Sequence, residues 1–159
     1  MDDTQVAKVE QEEENPRVLK FVVKNPAKVG GSIKYTVEGC DDEGDFSTIR
    51  RYREFNALAM VLVVRWPGIY VPSIPEKKFI NDKTDEFIEE RRSLLERFLK
   101  ECAKYDYIFF SKEFKAFARG AGEVDKLLQS LSKQTPMQVL EKYRLNFKIE
   151  EEQEQSQIN

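Results

Sequence analysis

The chain has 159 residues, with 26 Lys and Arg against 29 Asp and Glu, no histidine, 40% hydrophobic and 11% aromatic residues. That length suits one domain with a real core, and the apolar content excludes wholesale disorder. Ten of the 29 acids lie in residues 1–14 and 148–159 beside only two of the 26 bases, so residues 15–147 hold 24 bases against 19 acids. A basic folded part between acidic, solvated ends is expected, with 1–15 a disordered tail and 150–159 an acidic polar one.

From the start, "MDDTQVAKVEQEEEN" is acidic and lacks the apolar run of a secretory signal. "RVLKFVVKN" (17–25) and "SIKYTVEGC" (32–40) are rich in β-branched and aromatic residues and are separated by Pro26 and Gly30-Gly31. A turn-like "DDEG" then leads to a third strand over 45–51. Three strands with short turns predict an antiparallel meander. From Tyr52 to Trp66 the period becomes helical, with Phe55, Leu58, Ala59 and Leu62 on one stripe and "WPG" as the stop. "ALAMVLVV" (57–64) is the longest apolar run, far below the roughly 20 residues of a membrane span. Prolines in "YVPSIPEKK" (70–78) favour an extended path. A long helix is expected from Thr84 to Lys104, then helices near 111–119 and 122–132, and a last one after Pro136. Strands followed by helices make an α+β domain: a three-stranded antiparallel β-meander, then a helical subdomain with a proline-rich loop between its helices.

Two features do not fit a plain core. Arg50 and Arg51 stand side by side where the third strand meets the helix. Because neighbouring strand residues face opposite ways, only one can enter a given pocket. Arg51 is the ligand candidate, and Arg50 is expected in an ion pair or in solvent. The second feature is Arg91, which sits on the long helix's apolar stripe of Phe87, Ile88, Leu94, Leu95, Phe98, Leu99 and Cys102. One arginine there reads as an ion pair or as a stem lying along the core edge. Together with Arg50, Arg51, Lys77 and Lys78 on bordering segments, it points to an external anion.

"RRYREF" after the third strand, "VPSIPEKK" on the proline-rich loop and "FIEERRSLLERF" on the long helix, taken in that order, resemble the phox homology (PX) domain, the phosphoinositide-binding module of sorting nexins. The resemblance runs over residues 18–118 and implies a PX domain at 16–120, with C-terminal helices at 121–149. It places Arg51 on the 3-phosphate of phosphatidylinositol 3-phosphate and Tyr52 beneath the inositol ring. Lys77 falls on the 1-phosphate, and Arg91 on the hydroxyls at positions 4 and 5. It implies a cytoplasmic protein peripherally bound to endosomal membrane, working in trafficking with protein partners of a complex. Two departures stand out: Pro72-Ser73 where the family often has two prolines, and a short segment between Lys77 and Arg91. On that segment Phe79 and Ile80 are the residues expected to enter the bilayer.

Other readings are weaker. "PSIPEK" fits a ligand of Src-homology 3 domains if Pro72 and Pro75 are accessible. A PX-type scaffold with weak or no lipid binding would present the final helices or the Tyr35 strand to proteins. An enzyme is not expected: histidine is absent, Gly30-Gly31 lacks phosphate-loop spacing, and Glu86, Glu89 and Glu90 read as a solvated helix face. Cys40 and Cys102 are expected as free thiols without metal spacing, so neither metal nor cofactor is expected. Without a basic stripe, nucleic acid is not the expected partner. The apolar residues of 124–149 either pack back on the domain or lead into a coiled-coil or membrane-curving region.

Overall fold

In the computed structural model, which describes residues 14–77 and 84–148, a three-stranded antiparallel sheet is followed by a helical layer. The strands are β1 (Val22–Val29), β2 (Ser32–Asp41) and β3 (Gly44–Arg51), in that spatial order. Val29 faces Ser32 and Asp41 faces Gly44, so both hairpins close through two residues. The first uses Gly30 and Gly31 at φ +56° and +83°, the left-handed backbone that such turns need at both central positions. Two-residue turns fix the register of everything behind them. On β2 that register sends Tyr35 and Val37 into the core, while Lys34, Thr36 and Glu38 stay half-exposed on the other face.

The expected first strand over 17–25 is only partly right. Pro16–Leu19 forms a helical turn, α1, with Asn15 capping it and Pro16 at its first position. The strand starts later and continues past Pro26, with a bulge between Lys24 and Ala27 that absorbs the proline. Arg17 fastens α1 to the helices by donating to the Ala103 carbonyl and the Asp106 carboxylate, each at 2.6 Å.

Helix α2 (Tyr52–Arg65) buries Phe55, Leu58, Ala59 and Leu62, as its stripe predicts. Helix α3 (Asp85–Lys104) begins at Thr84, whose hydroxyl accepts from the Phe87 amide. It buries Ile88, Leu95, Phe98, Leu99 and Cys102, but Leu94, expected on that stripe, is 37% exposed. Then follow α4 (Asp106–Phe109), α5 (Lys112–Arg119), α6 (Val124–Gln129) and α7 (Pro136–Phe147). The four-residue α4 is too short to show a period and is not visible in the sequence pattern.

Of the two outcomes for the C-terminal apolar residues, the structure shows packing onto the domain for α7. Tyr143 stacks on Trp66 at 5.9 Å and 9°, and Phe147 meets Trp66 and Tyr107 edge-on or tilted. Lys142 stands 3.8 Å above the Trp66 ring, and the Tyr143 hydroxyl donates to the Pro67 carbonyl at 2.6 Å. No residue of α7 is fully buried, so aromatic faces and a cation–π contact hold it rather than a core stripe. Cys40 and Cys102 are buried, free thiols.

Candidate functional site

Register settles where the two adjacent arginines go. Arg50 pairs with Tyr35 and Arg51 with Lys34, so they occupy opposite faces of the sheet. Arg50, 5% exposed, is neither ion-paired nor in solvent as expected. Its Nε, Nη1 and Nη2 donate to the carbonyls of Phe117, Ile49 and Gly120, each at 2.8 Å. Burial pushes its pKa down, with Glu54 opposing that. The α5 C-terminus supplies two of these three acceptors, since the last carbonyls of a helix have no partner of their own.

Arg51 is half-buried at the end of β3 and caps α2. Its backbone N–H donates to Glu54 Oε1 at 3.1 Å, which starts the helix at Tyr52. Among the described residues the Arg51 guanidinium makes no hydrogen bond or ion pair.

Tyr52 and Arg91 do meet. The Arg91 guanidinium lies 4.3 Å from the Tyr52 ring centroid and 4.9 Å from that of Phe87, one turn earlier on α3. Arg91 Nη2 donates to the Glu76 carbonyl at 3.2 Å, and the Tyr52 hydroxyl donates to the Pro75 carbonyl at 2.6 Å. These bonds pin the end of the proline-rich loop against α2 and α3, which brings Lys77, exposed and next in the chain, to the same corner. Burial raises the Tyr52 pKa and the Arg91 charge opposes it, consistent with a phenol under a cation. So the structure gathers Tyr52, Arg91 and the Lys77 backbone, and Arg51 joins them as the residue before Tyr52 rather than by a side-chain contact. Phe79 and Ile80 lie outside the described residues.

Sequence reasoning missed three neighbours. Phe87 was read as core, yet it is the second ring against Arg91. Lys34 stands directly across from Arg51 on the same face, which counting back from the "DDEG" turn would have shown. Tyr35 is 1% exposed, packs edge-on against Phe55 and keeps an unpartnered hydroxyl; burial raises its pKa while Arg91 lowers it. That placed a polar atom behind the site that no periodicity reveals.

The loop prolines do not suit an Src-homology 3 partner, because Pro72 is buried and Pro75 half-buried with its carbonyl engaged. No group of histidine, cysteine or carboxylate side chains among the described residues could hold a metal. No helix among the described residues is long and apolar enough to cross a membrane.

The antiparallel meander, the helices behind it and a proline-rich loop whose end meets an arginine set on a tyrosine ring define a small α+β domain. The family model for the PX domain matches residues 38–119, and the chain belongs to that family. It is 33% identical to sorting nexin-7 of Mus musculus over 108 residues, 65% of this chain and 27% of that protein. It is 29% identical to vacuolar protein sorting-associated protein vps5 of Schizosaccharomyces pombe over 103 residues, 65% of this chain and 18% of that protein. The chain thus spans about a quarter or less of the length of these relatives. The X-ray structure of a designed CISK-PX domain superposes with a TM-score of 0.56 at 22% identity, covering 63% of this chain and 98% of that one, which supports the fold.

Proposed function

We propose that residues 16–120 are a membrane-targeting module that binds phosphatidylinositol 3-phosphate on the cytoplasmic face of endosomes, and that the chain serves sorting nexin-type trafficking with protein partners. The observation that carries this reading is the Arg91 guanidinium, held over Tyr52 and Phe87 with, among the described residues, a single 3.2 Å bond to the Glu76 carbonyl. Arginine has five donors in a rigid plane, so most remain for vicinal hydroxyls of an inositol. Arg51 takes the 3-phosphate, Lys77 the 1-phosphate, and the Tyr52 ring supports the sugar from below. The C-terminal helices at 121–149 complete the folded part without touching the ligand.

The test uses phosphatidylcholine vesicles with and without each phosphoinositide. Vesicles carrying the 3-phosphate should recruit the wild type, and Arg51→Ala should lose recruitment by more than about tenfold, because each charge-assisted hydrogen bond contributes roughly 1.5–3 kcal/mol. Equal recruitment of a folded Arg51→Ala protein would overturn the assignment.

Phe79 and Ile80 supply the bilayer affinity that headgroup contacts cannot. Full burial of one such side chain contributes roughly 1.5–3 kcal/mol. The double change Phe79→Ser, Ile80→Ser should weaken vesicle binding while affinity for a soluble short-chain lipid and the melting temperature stay unchanged. A lower melting temperature with vesicle binding intact would place both side chains in the core instead.

A further inference from the structure

We propose that Lys34 is a phosphate ligand in its own right, forming with Arg51 a two-cation clamp on one phosphomonoester. The clamp rests on the headgroup reading above and adds a residue that the family motifs do not contain. Lys34 and Arg51 are direct partners in the β2–β3 register, so both side chains leave the same face of the sheet with Cα atoms about 5 Å apart. Like charges directly across a strand pair destabilise a sheet unless an anion lies between them.

Among the described residues no acid pairs with either cation. On the other side of Lys34 the β1 partner is Ala27. Glu38, on the same face of β2, is paired with Lys24 at 2.6 Å. The Glu54 carboxylate, on α2, is buried and accepts the Arg51 backbone N–H. Among the described residues the Lys34 ammonium makes no ion pair or hydrogen bond, and the same holds for the Arg51 guanidinium.

A phosphomonoester carries about −1.5 to −2 at neutral pH, so one arginine leaves close to a full negative charge unbalanced. Lys34 offsets that remainder. The four-carbon stem of a half-buried lysine and the planar fork of arginine can reach a single phosphate from adjacent strands. A phosphodiester carries only one charge and has fewer free oxygens, so the pair discriminates for a monoester on the ring and against an unphosphorylated phosphatidylinositol.

The test titrates dibutanoyl phosphatidylinositol 3-phosphate, soluble as monomers, into wild type, Lys34→Ala, Lys34→Arg and Arg51→Ala, with thermal melts alongside. The expected result is a loss of about tenfold for Lys34→Ala, with a melting temperature equal to or above that of wild type because a like-charge contact is gone. Lys34→Arg should stay within about threefold of wild type, since it restores the charge. Unchanged affinity for the soluble lipid together with weaker binding to anionic vesicles would overturn the clamp and leave Lys34 a general surface charge. A weaker affinity accompanied by a lower melting temperature would overturn it too, as a folding defect. If Arg51→Ala abolishes binding and Lys34→Ala does not change it, the clamp falls while the headgroup reading stands. If the wild type binds no phosphoinositide, both fall.

Discussion

Arg50 and Arg91 are both drawn back from solvent and both donate to main-chain carbonyls, yet they are engaged to very different degrees. Arg50 spends three nitrogens on three carbonyls at 2.8 Å and is 5% exposed. Arg91 is half-buried, makes one bond of 3.2 Å among the described residues and rests on two aromatic faces. Aromatic faces orient a guanidinium without using its in-plane donors. Three nitrogens tied to carbonyls make Arg50 a staple, whereas the oriented and less engaged fork of Arg91 is what the proposed headgroup site requires. On the proposed reading, the number of donors already engaged, more than burial, separates the structural Arg50 from the headgroup-binding Arg91.

The largest expected effect is on the staple. Arg50→Ala removes the tie between β3 and the end of α5 and leaves the Phe117 and Gly120 carbonyls without their donor. We expect a loss of about 2–4 kcal/mol and a fall in melting temperature of about 10 °C, read by differential scanning calorimetry. Affinity of the remaining folded protein for the short-chain lipid should be unchanged. A folded, undamaged Arg50→Ala protein that no longer binds lipid would invert the contrast drawn above.

Arg91→Lys should do the reverse. The charge stays and the stem still lies along α3, but a lysine offers no fork. Headgroup affinity should fall about five- to tenfold with little change in melting temperature, measured by titration beside the melts. If the melt shifts and the affinity of folded protein does not, Arg91 belongs with Arg50 as a structural group.

Much of this is legible in the amino-acid sequence. Tight turns at Gly30-Gly31 and Asp42-Glu43 define the sheet, and a 3.6-residue stripe defines α2, because both depend on local sequence. Arg91 stood out for the same reason, as a charge on an apolar stripe. The fate of Arg50 is not legible there, since two of its three acceptors are carbonyls 67 and 70 residues away that belong to a helix end rather than to an acidic side chain. The start of β1 was misplaced because a cap at Asn15 overrode the strand preference of Val18. The docking of α7 was left open because it depends on ring faces meeting at Trp66, and ring geometry has no periodicity.

The smallest expected effect isolates the tether from the platform. Tyr52→Phe keeps the ring under Arg91 and removes only the hydroxyl that donates to the Pro75 carbonyl at 2.6 Å. One neutral hydrogen bond contributes about 0.5–1.5 kcal/mol, and water can reach the half-buried Pro75 in its absence, so the melting temperature should drop by only about 2–4 °C. Affinity for the soluble lipid should remain within about twofold, because the ring that holds Arg91 and, on the proposed reading, supports the sugar is intact. The pH dependence gives a second readout. Burial raises the folded pKa of Tyr52 above its ordinary value, with the Arg91 charge opposing the rise. A raised folded pKa means that the phenol's contribution is fully present below about pH 10 and is lost as pH climbs through the folded value. Tyr35, Tyr107 and Tyr143 are raised as well, so the wild type should lose stability at alkaline pH through several phenols at once. Tyr52→Phe should make that alkaline decline shallower by one group, without altering the melts at neutral pH beyond the few degrees above. An alkaline decline identical to wild type would show that the Tyr52 phenol ionises as freely folded as unfolded.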